Sequence, residues 1–519
     1  MSAETRHDLD AIDSGTESAL HHSVHPIRRR NLLTSPLLRL PTELTLKIFV
    51  CAIEIESDEN RPVPLVLTAI CHKLREIGVA SSKLWDIVDL VTPPIAELFL
   101  KRCNYDPHTL KRTQTTSESK LKYPAGDPRR DALWGRLVGC TFNGLRSIVF
   151  EGTKYEFIAR VVGVLRRAPN VSNLEIYNTR PRPGLPWPIS DPLPNLSTLR
   201  VRKFWISWTS PLLRNLTQLV LDLSPFSLPP EPTSIEMFLT ALAKCPNLEI
   251  LNLTHVGPDS LSGHQDSCDT LVQLRRLKDL RLRFSDPSRI GYILSHIEYP
   301  ESTQLAVKVT AEIHNDLLEA ISQVLPYRNI QTSQHFCKSR AITIRLGYSH
   351  FQFSTNNLLV NFEESPCNFA YRANPQILAR VASKIIGVVG GDTTASLRLE
   401  AWITNPPDGM WEVLLHGLPR LERICYDLRG MERDRKFTDP FVFVFSQLFT
   451  GEPVCAQLQH LELPKRILTQ DASILQLERA LTERNTRGKR LKSIGLSGGS
   501  TKADDELVLE RFRGLVGGV

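Results

Sequence analysis

The chain has 519 residues, 41% hydrophobic and 23% charged, with 63 Lys and Arg against 56 Asp and Glu for a formal charge of +7. That size and balance fit a globular protein of two or more domains with a large core; the weak positive charge permits an acidic partner without requiring one, and nucleic acid is not expected as a ligand. The ten cysteines run from Cys51 to Cys455 with no Cys-x-x-Cys among them. This leaves neither a zinc knuckle nor a dithiol redox motif and suits scattered thiols in a reducing compartment. No apolar h-region opens the sequence and no run of eighteen apolar residues occurs in it. An intracellular protein of the cytoplasm or nucleus, with no membrane partner, is therefore expected.

Residues 1–35 are polar, charged and without periodicity, which predicts a disordered tail. Its His21, His22 and His25 have no fixed geometry with which to hold a metal. Structure begins at Leu37–Leu90. Pro41 stands at an early helical position, where its missing N–H costs nothing. Leu44, Ile48 and Ala52 then form one apolar strip at i, i+4, i+8, and Leu46, Phe49 and Ile53 a second at i, i+3, i+7. A second helix is predicted at about Leu65–Ile77, with Leu67, Ile70, Cys71, Leu74 and Ile77 on one face. A short third turn follows Ser81 or Ser82 and carries Leu84 and Trp85. Three short helices can bury one strip of the first helix among themselves. The other is left for a partner or for the rest of the chain.

Leu40, Pro41, Glu43, Leu44, Ile48, Phe49, Cys71, Leu84 and Trp85, in that order, resemble the F-box, whose pattern runs Leu-Pro-x-Glu-Leu, Ile-Phe, Val-Cys-x-x-Trp and Leu-Trp. Ile70 and Leu74 stand where the family usually has Val and Trp, and Glu54–Pro64 lengthens the first connection as in the F-box-like proteins numerous in mushroom-forming fungi. The resemblance implies a domain over residues 36–100 that docks a Skp-type adaptor and, through it, a cullin–RING ubiquitin ligase. Leu40, Pro41, Glu43, Leu44, Ile48 and Phe49 are the partner contacts it implies. Glu43, in the first turn, also favours the helix dipole, a purely structural role.

Residues 101–130, rich in Lys, Thr, Ser and Pro, read as a linker or insertion. From about 140 a loose repeat sets in: LRSIVFEG, NLEIYNT, LSTLRVRKF, LTQLVLDL, LEILNLTHV and LKDLRLRF, and later AITIRLGY, SLRLEAW, LQHLELPK and LKSIGLS. Leu174, Leu199, Leu219, Leu251 and Leu280 as equivalent positions lie 25, 20, 32 and 29 residues apart. That is the spacing range of leucine-rich repeats, in which Leu-x-x-Leu-x-Leu is a short strand pointing its leucines into a stacked interior. Between strands the pattern turns helical, and Ala/Cys-Pro-Asn closes each helix at Ala168–Asn170 and Cys245–Asn247. The expected fold is an α/β repeat: the three-helix F-box-like domain, then an irregular leucine-rich-repeat solenoid over 131–500 and a cap helix and tail over 501–519. Within 312–396 the repeat is irregular, with two amphipathic helices and a hairpin-like strand pair.

Sites for chemistry are not found. Gly495-Leu496-Ser497-Gly498-Gly499 matches a nucleophile elbow, but the last histidine is His460, so no base follows Ser497. Gly387–Gly391 lacks the Lys-Ser/Thr of a phosphate loop and reads as a helix C-terminus. No catalytic residue, metal or cofactor is expected. Basic residues around Arg275–Arg283 and Arg484–Lys492 could line a nucleic-acid groove, but the first set, alternating with leucines on a strand, reads more simply as a solvated repeat face, on which Arg281 and Arg283 are candidates for binding an acidic segment of an unknown substrate protein. The expected function is that of a substrate-recognition adaptor. The alternative is a scaffolding repeat protein in which the F-box-like unit is only an N-terminal cap.

Overall fold

The computed structural model describes residues 35–55, 63–112, 128–152, 155–178, 192–223, 234–258, 271–310, 317–324, 339–347, 350–363, 375–401, 408–428, 440–448, 454–464, 471–497 and 509–517. The polar tail, its histidines and most of the Glu54–Pro64 insertion lie outside these residues. The fold is mixed α/β, and the chain divides into two compact units: residues 1–176 with 193–195, and residues 177–192 with 196–519.

The first unit opens with helices α1 (Pro36–Arg39), α2 (Thr42–Ile55), α3 (Val63–Ile70) and α4 (His72–Ala80) and a 3₁₀ turn at Ser82–Trp85. The single helix predicted over Leu65–Ile77 is thus two. The break falls at Cys71, whose φ of −156° and ψ of 168° are extended. Arg75 bridges it, Nε donating to Thr68 O at 3.0 Å. Strands β1 (Ile87–Asp89), β2 (Thr109–Arg112), β3 (Ser147–Gly152) and β4 (Asn173–Asn178) follow, with helices α5 (Pro93–Arg102), α6 (Pro128–Gly139) and α7 (Tyr155–Leu165) between them. The strands lie side by side in chain order, β1, β2 and β3 parallel, and Val88, Leu110 and Ile148 share one buried register. Strand β2 falls inside the interval expected to be a linker. Its alternating Leu110 and Arg112 are both buried.

The second unit is built on parallel strands β5 (Thr198–Arg202), β6 (Gln218–Asp222), β7 (Ile250–Thr254), β9 (Asp279–Phe284), β11 (Gln304–Val309) and β14 (Leu358–Glu363), in that spatial order. Leu199, Leu219, Leu251, Leu280, Leu305 and Leu358 are partners across this run, as are Val201, Leu221, Leu253, Leu282, Val307 and Val360. All twelve side chains are buried, and the alternate residues face outward. Next comes β13 (His350–Ser354), antiparallel both to β14 and to β12 (Ala341–Leu346). A second parallel run then joins β12 to β15 (Ser396–Ala401), β16 (Arg423–Leu428), β17 (His460–Pro464) and β18 (Ser493–Ser497) through Ile342, Leu397, Ile424, Leu461 and Ile494. A separate parallel pair is formed by β8 (Val272–Gln273) and β10 (Ile297–Glu298).

Helices return the chain between strands: α8 (Ile235–Ala243), α9 (Pro287–Ser295), α10 (Leu317–Val324), α11 (Pro375–Val389), α12 (Asp408–Gly417), α13 (Pro440–Leu448) and α14 (Asp471–Thr486). Their ends follow local chemistry. Ser234 caps α8 by accepting from Met237 N–H, Asp286 caps α9 by accepting from Ser288 N–H, and Pro287 opens α9 where no donor is needed. Past α11, Gly390 takes a φ of 75° that a side chain would disfavour. Of the cap helix expected within 501–519, the described residues 509–512 are helical, with Leu509 and Phe512 buried.

Candidate functional site

The two apolar strips of α2 differ most at Phe49 on one side and Leu44 and Ile48 on the other, while Leu46, Ala52 and Ile53 are half-buried. Phe49, on the second strip, is 1% exposed, whereas Leu44 and Ile48, on the first, are 45% and 44% exposed. The buried side is held by tight contacts. Trp85 is buried, donates Nε1–H to Gly78 O at 2.8 Å, and sets its ring edge-on to Phe99 of α5 with centroids 4.8 Å apart. Gly78 is a glycine for a reason of space, because a Cβ there would lie 2.5 Å from Thr68 Cγ2 and 3.9 Å from Phe49 Cε2. Thr68 is itself pinned, its hydroxyl donating to Pro64 O at 2.8 Å and reaching Leu65 O at 3.1 Å. Phe49, Thr68, Gly78, Leu84 and Trp85 therefore form a core that fixes how α2 and α3 sit on α4.

With one strip anchored, the other is presented to solvent. Cys51, one turn beyond Ile48, is also exposed. On α3, Val66 and Ile70 are 48% and 61% exposed. Isolated exposed apolar residues need no explanation, but four large ones on two successive helices are unusual for a surface without a partner. Pro41 precedes α2 rather than lying within it, and its carbonyl accepts from the N–H groups of Leu44 and Thr45, both at 3.1 Å. Pro41 and Glu43 are exposed and Leu40 is half-buried. Of the six residues expected as partner contacts, Leu40, Pro41, Glu43, Leu44 and Ile48 thus lie in or beside the accessible strip. Phe49 does not, since its ring is spent on the unit's own core. Val66 was not foreseen, because Val63-Pro64-Leu65-Val66-Leu67 is a continuous apolar run whose spacing does not say which side faces out.

The two basic candidates of the second unit differ from each other. Arg281 is held by its own strand: its guanidinium donates to both carboxylate oxygens of Asp279, at 3.0 and 2.7 Å, and this pairing raises its pKa. Arg283, two residues on at the end of β9, is exposed and makes no such pair among the described residues. Its charge is felt nearby. Burial, then Arg283 and Arg289, push the His255 imidazole down to about 4, and burial raises the Asp222 carboxyl against the pull of Arg202, Arg283 and Lys203.

Groups of the kinds used in other chemistry are engaged differently. Ser497 Oγ donates to Tyr426 O at 2.5 Å. Burial pushes the Cys103 thiol up to about 11 and those of Cys425 and Cys455 up to about 12, opposite to the shift that activates a nucleophilic cysteine. Among the described residues no three His, Cys, Asp or Glu are grouped so as to hold a metal ion, and no helix is long and apolar enough to cross a membrane. No protein-family model matches the chain, and no curated protein matches it.

Proposed function

We propose that the first unit is an F-box-like docking module for a Skp-type adaptor, and that the chain is a substrate-recognition subunit of a cullin–RING ubiquitin ligase. In this reading the strands of the second unit are of the leucine-rich-repeat type and hold the substrate protein. The chain makes and breaks no bond itself. Ubiquitin transfer belongs to the ligase's other subunits, and working beside them places the protein in the cytoplasm or nucleus.

The observation that carries the proposal is the accessibility of Leu44 and Ile48 on a helix whose opposite strip, through Phe49, is anchored internally. It bears directly on the alternative of a mere cap, in which the first strip would be covered by the chain itself. A side chain of this size is worth about 1.5–3 kcal/mol when fully buried, so covering the exposed part of each contributes about 1 kcal/mol. Covering Leu44, Ile48, Val66 and Ile70 against the partner would then contribute about 4 kcal/mol in all.

The test is co-expression of the full chain with a Skp-type adaptor beside the double variant Leu44→Asp, Ile48→Asp. The wild type is expected to retain the adaptor through purification. The variant is expected to lose it while its far-UV circular dichroism stays unchanged. A folded wild-type chain that retains no adaptor would leave the scaffolding function as the better account.

A further inference from the structure

The outward face of the second unit carries a cationic row. Where β5 to β11 end, the partners across the strands are Arg202, Asp222, Thr254, Arg283 and Lys308, the last paired in turn with Asn361 of β14. Lys203 follows Arg202 directly, and Arg200 and Arg281 occupy the next outward row. Among the described residues, three of these cations meet carboxylates in the row: Arg202 against Asp222 at 3.8 Å, Arg281 against Asp279 at 2.7 Å and Lys308 against Glu363 at 2.5 Å. Arg202 is also steadied from below, its guanidinium carbon 5.0 Å from the centre of the Tyr177 ring. The surplus of positive charge collects at Lys203 and Arg283.

We infer that this row is a docking surface for an acidic segment of a partner protein, bound in extended form across the strand ends with its carboxylates on Arg202, Arg283 and Lys308. Strands lie about 4.8 Å apart, so Arg202 and Arg283, three strands from each other, are separated by about 14 Å. An extended peptide advances about 3.4 Å per residue and shows alternate side chains to one face, so carboxylates at i and i+4 span that gap. A third at i+6 comes within reach of the long Lys308 side chain. Asp222, between the two arginines, repels an acid at i+2 and so gives the row selectivity as well as affinity.

The same features disfavour nucleic acid. A phosphate backbone presents an unbroken line of charge, which Asp222 within the row and Glu363 beside Lys308 oppose, and among the described residues no exposed aromatic lies in the row for a base to stack on. The inference deepens the substrate-adaptor reading and depends on it only for the role of the acidic segment's owner.

The experiment is a fluorescence-anisotropy titration of the full chain at low salt. The probe is a fluorescein-labelled Gly/Ser/Thr peptide with Glu at i, i+4 and i+6; the comparisons are the same composition with Glu at i, i+1 and i+2, and an oligouridine. Saturable binding of the spaced peptide is expected, weakened about tenfold by Arg202→Glu with Arg283→Glu, and less, in the same direction, by Gln at both positions. Absence of saturable binding, equal binding of the clustered peptide, tighter binding of the oligouridine, or retained affinity in folded charge-reversed protein would each overturn the inference. Adaptor retention is measured in parallel. The charge-reversed chain is expected to keep the adaptor and the Leu44→Asp, Ile48→Asp chain to keep the peptide, so failure of either reading is seen by itself.

Discussion

Replacing Gly78 by alanine sets two effects of known size against each other. Within a helix, Ala is favoured over Gly by about 1 kcal/mol, which argues for stabilisation. Against this, the new Cβ meets Thr68 Cγ2 at 2.5 Å, and Thr68 cannot swing away without giving up its bonds to Pro64 O and Leu65 O. Overpacking costs about 1–3 kcal/mol, and a contact of 2.5 Å against a pinned methyl belongs to the upper part of that range, about 2–3 kcal/mol, so a net loss of about 1–2 kcal/mol is expected. The division into two units makes a single unfolding free energy a poor readout, and local opening measured by hydrogen exchange is the better one. Amides of α3 and α4 should exchange roughly 5–30-fold faster in Gly78→Ala than in wild type. Thr68→Ser, which removes the offending methyl and keeps the hydroxyl, should restore most of that protection in the double variant, the mark of coupled neighbours. Unchanged or slower exchange in Gly78→Ala, or a double variant no better than the single, would refute this view of how the helices are held.

Phe49→Ala should cost about 3–5 kcal/mol and diminish the helical circular dichroism of the first unit, whereas Leu44→Asp should leave its stability within about 0.5 kcal/mol. In the second unit, the buried Arg484 guanidinium donates to Leu458 O at 2.7 Å and to Cys455 O at 3.3 Å. Cys455 O keeps the Leu458 N–H at 3.0 Å, so Arg484→Ala strands chiefly the Leu458 carbonyl, at about 1–3 kcal/mol, to be seen as faster exchange across residues 454–461. His255, held neutral down to about 4 by burial, Arg283 and Arg289, takes up a proton in the unfolded chain near 6.5 but not in the folded one. Its contribution is complete above that upper value and is lost as pH falls between the two. His255→Asn, which tolerates the φ of 54° at this position, should flatten that part of the melting-temperature profile.

Periodicity made much of the second unit legible. Leu199, Leu219, Leu251 and Leu280, aligned from spacing alone, are partners in the sheet, because each strand must point alternate side chains into one interior. The same logic failed where one pattern served two structures. An uninterrupted apolar rhythm over Leu65–Ile77 concealed the break at Cys71, which no Gly or Pro marks and which Arg75 bridges. Strand β2 was hidden because Thr109-Leu-Lys-Arg has the composition of a linker and buries Arg112 as well as Leu110. Arg484, read with a basic cluster that could face a ligand, is instead buried, its guanidinium claimed by three carbonyls on another loop, which the charge of the run did not reveal. At the proposed docking surface the two strips of α2 could be drawn from the sequence, but which of them faced inward could not. That choice rests on Gly78 and Trp85, one a site of close approach and the other a ring tied to a backbone carbonyl.

The central claim is that the accessible strip of α2 is where a Skp-type adaptor docks, and Cys51, exposed at its end, reports on it without mutation. The full chain is treated with a maleimide in the presence of increasing adaptor, and modification of Cys51 is followed by mass spectrometry, with the buried Cys245 as internal reference. Docking should slow the modification of Cys51 progressively, to saturation, and leave that of Cys245 unchanged. A rate of Cys51 modification that saturating adaptor leaves untouched would contradict the claim.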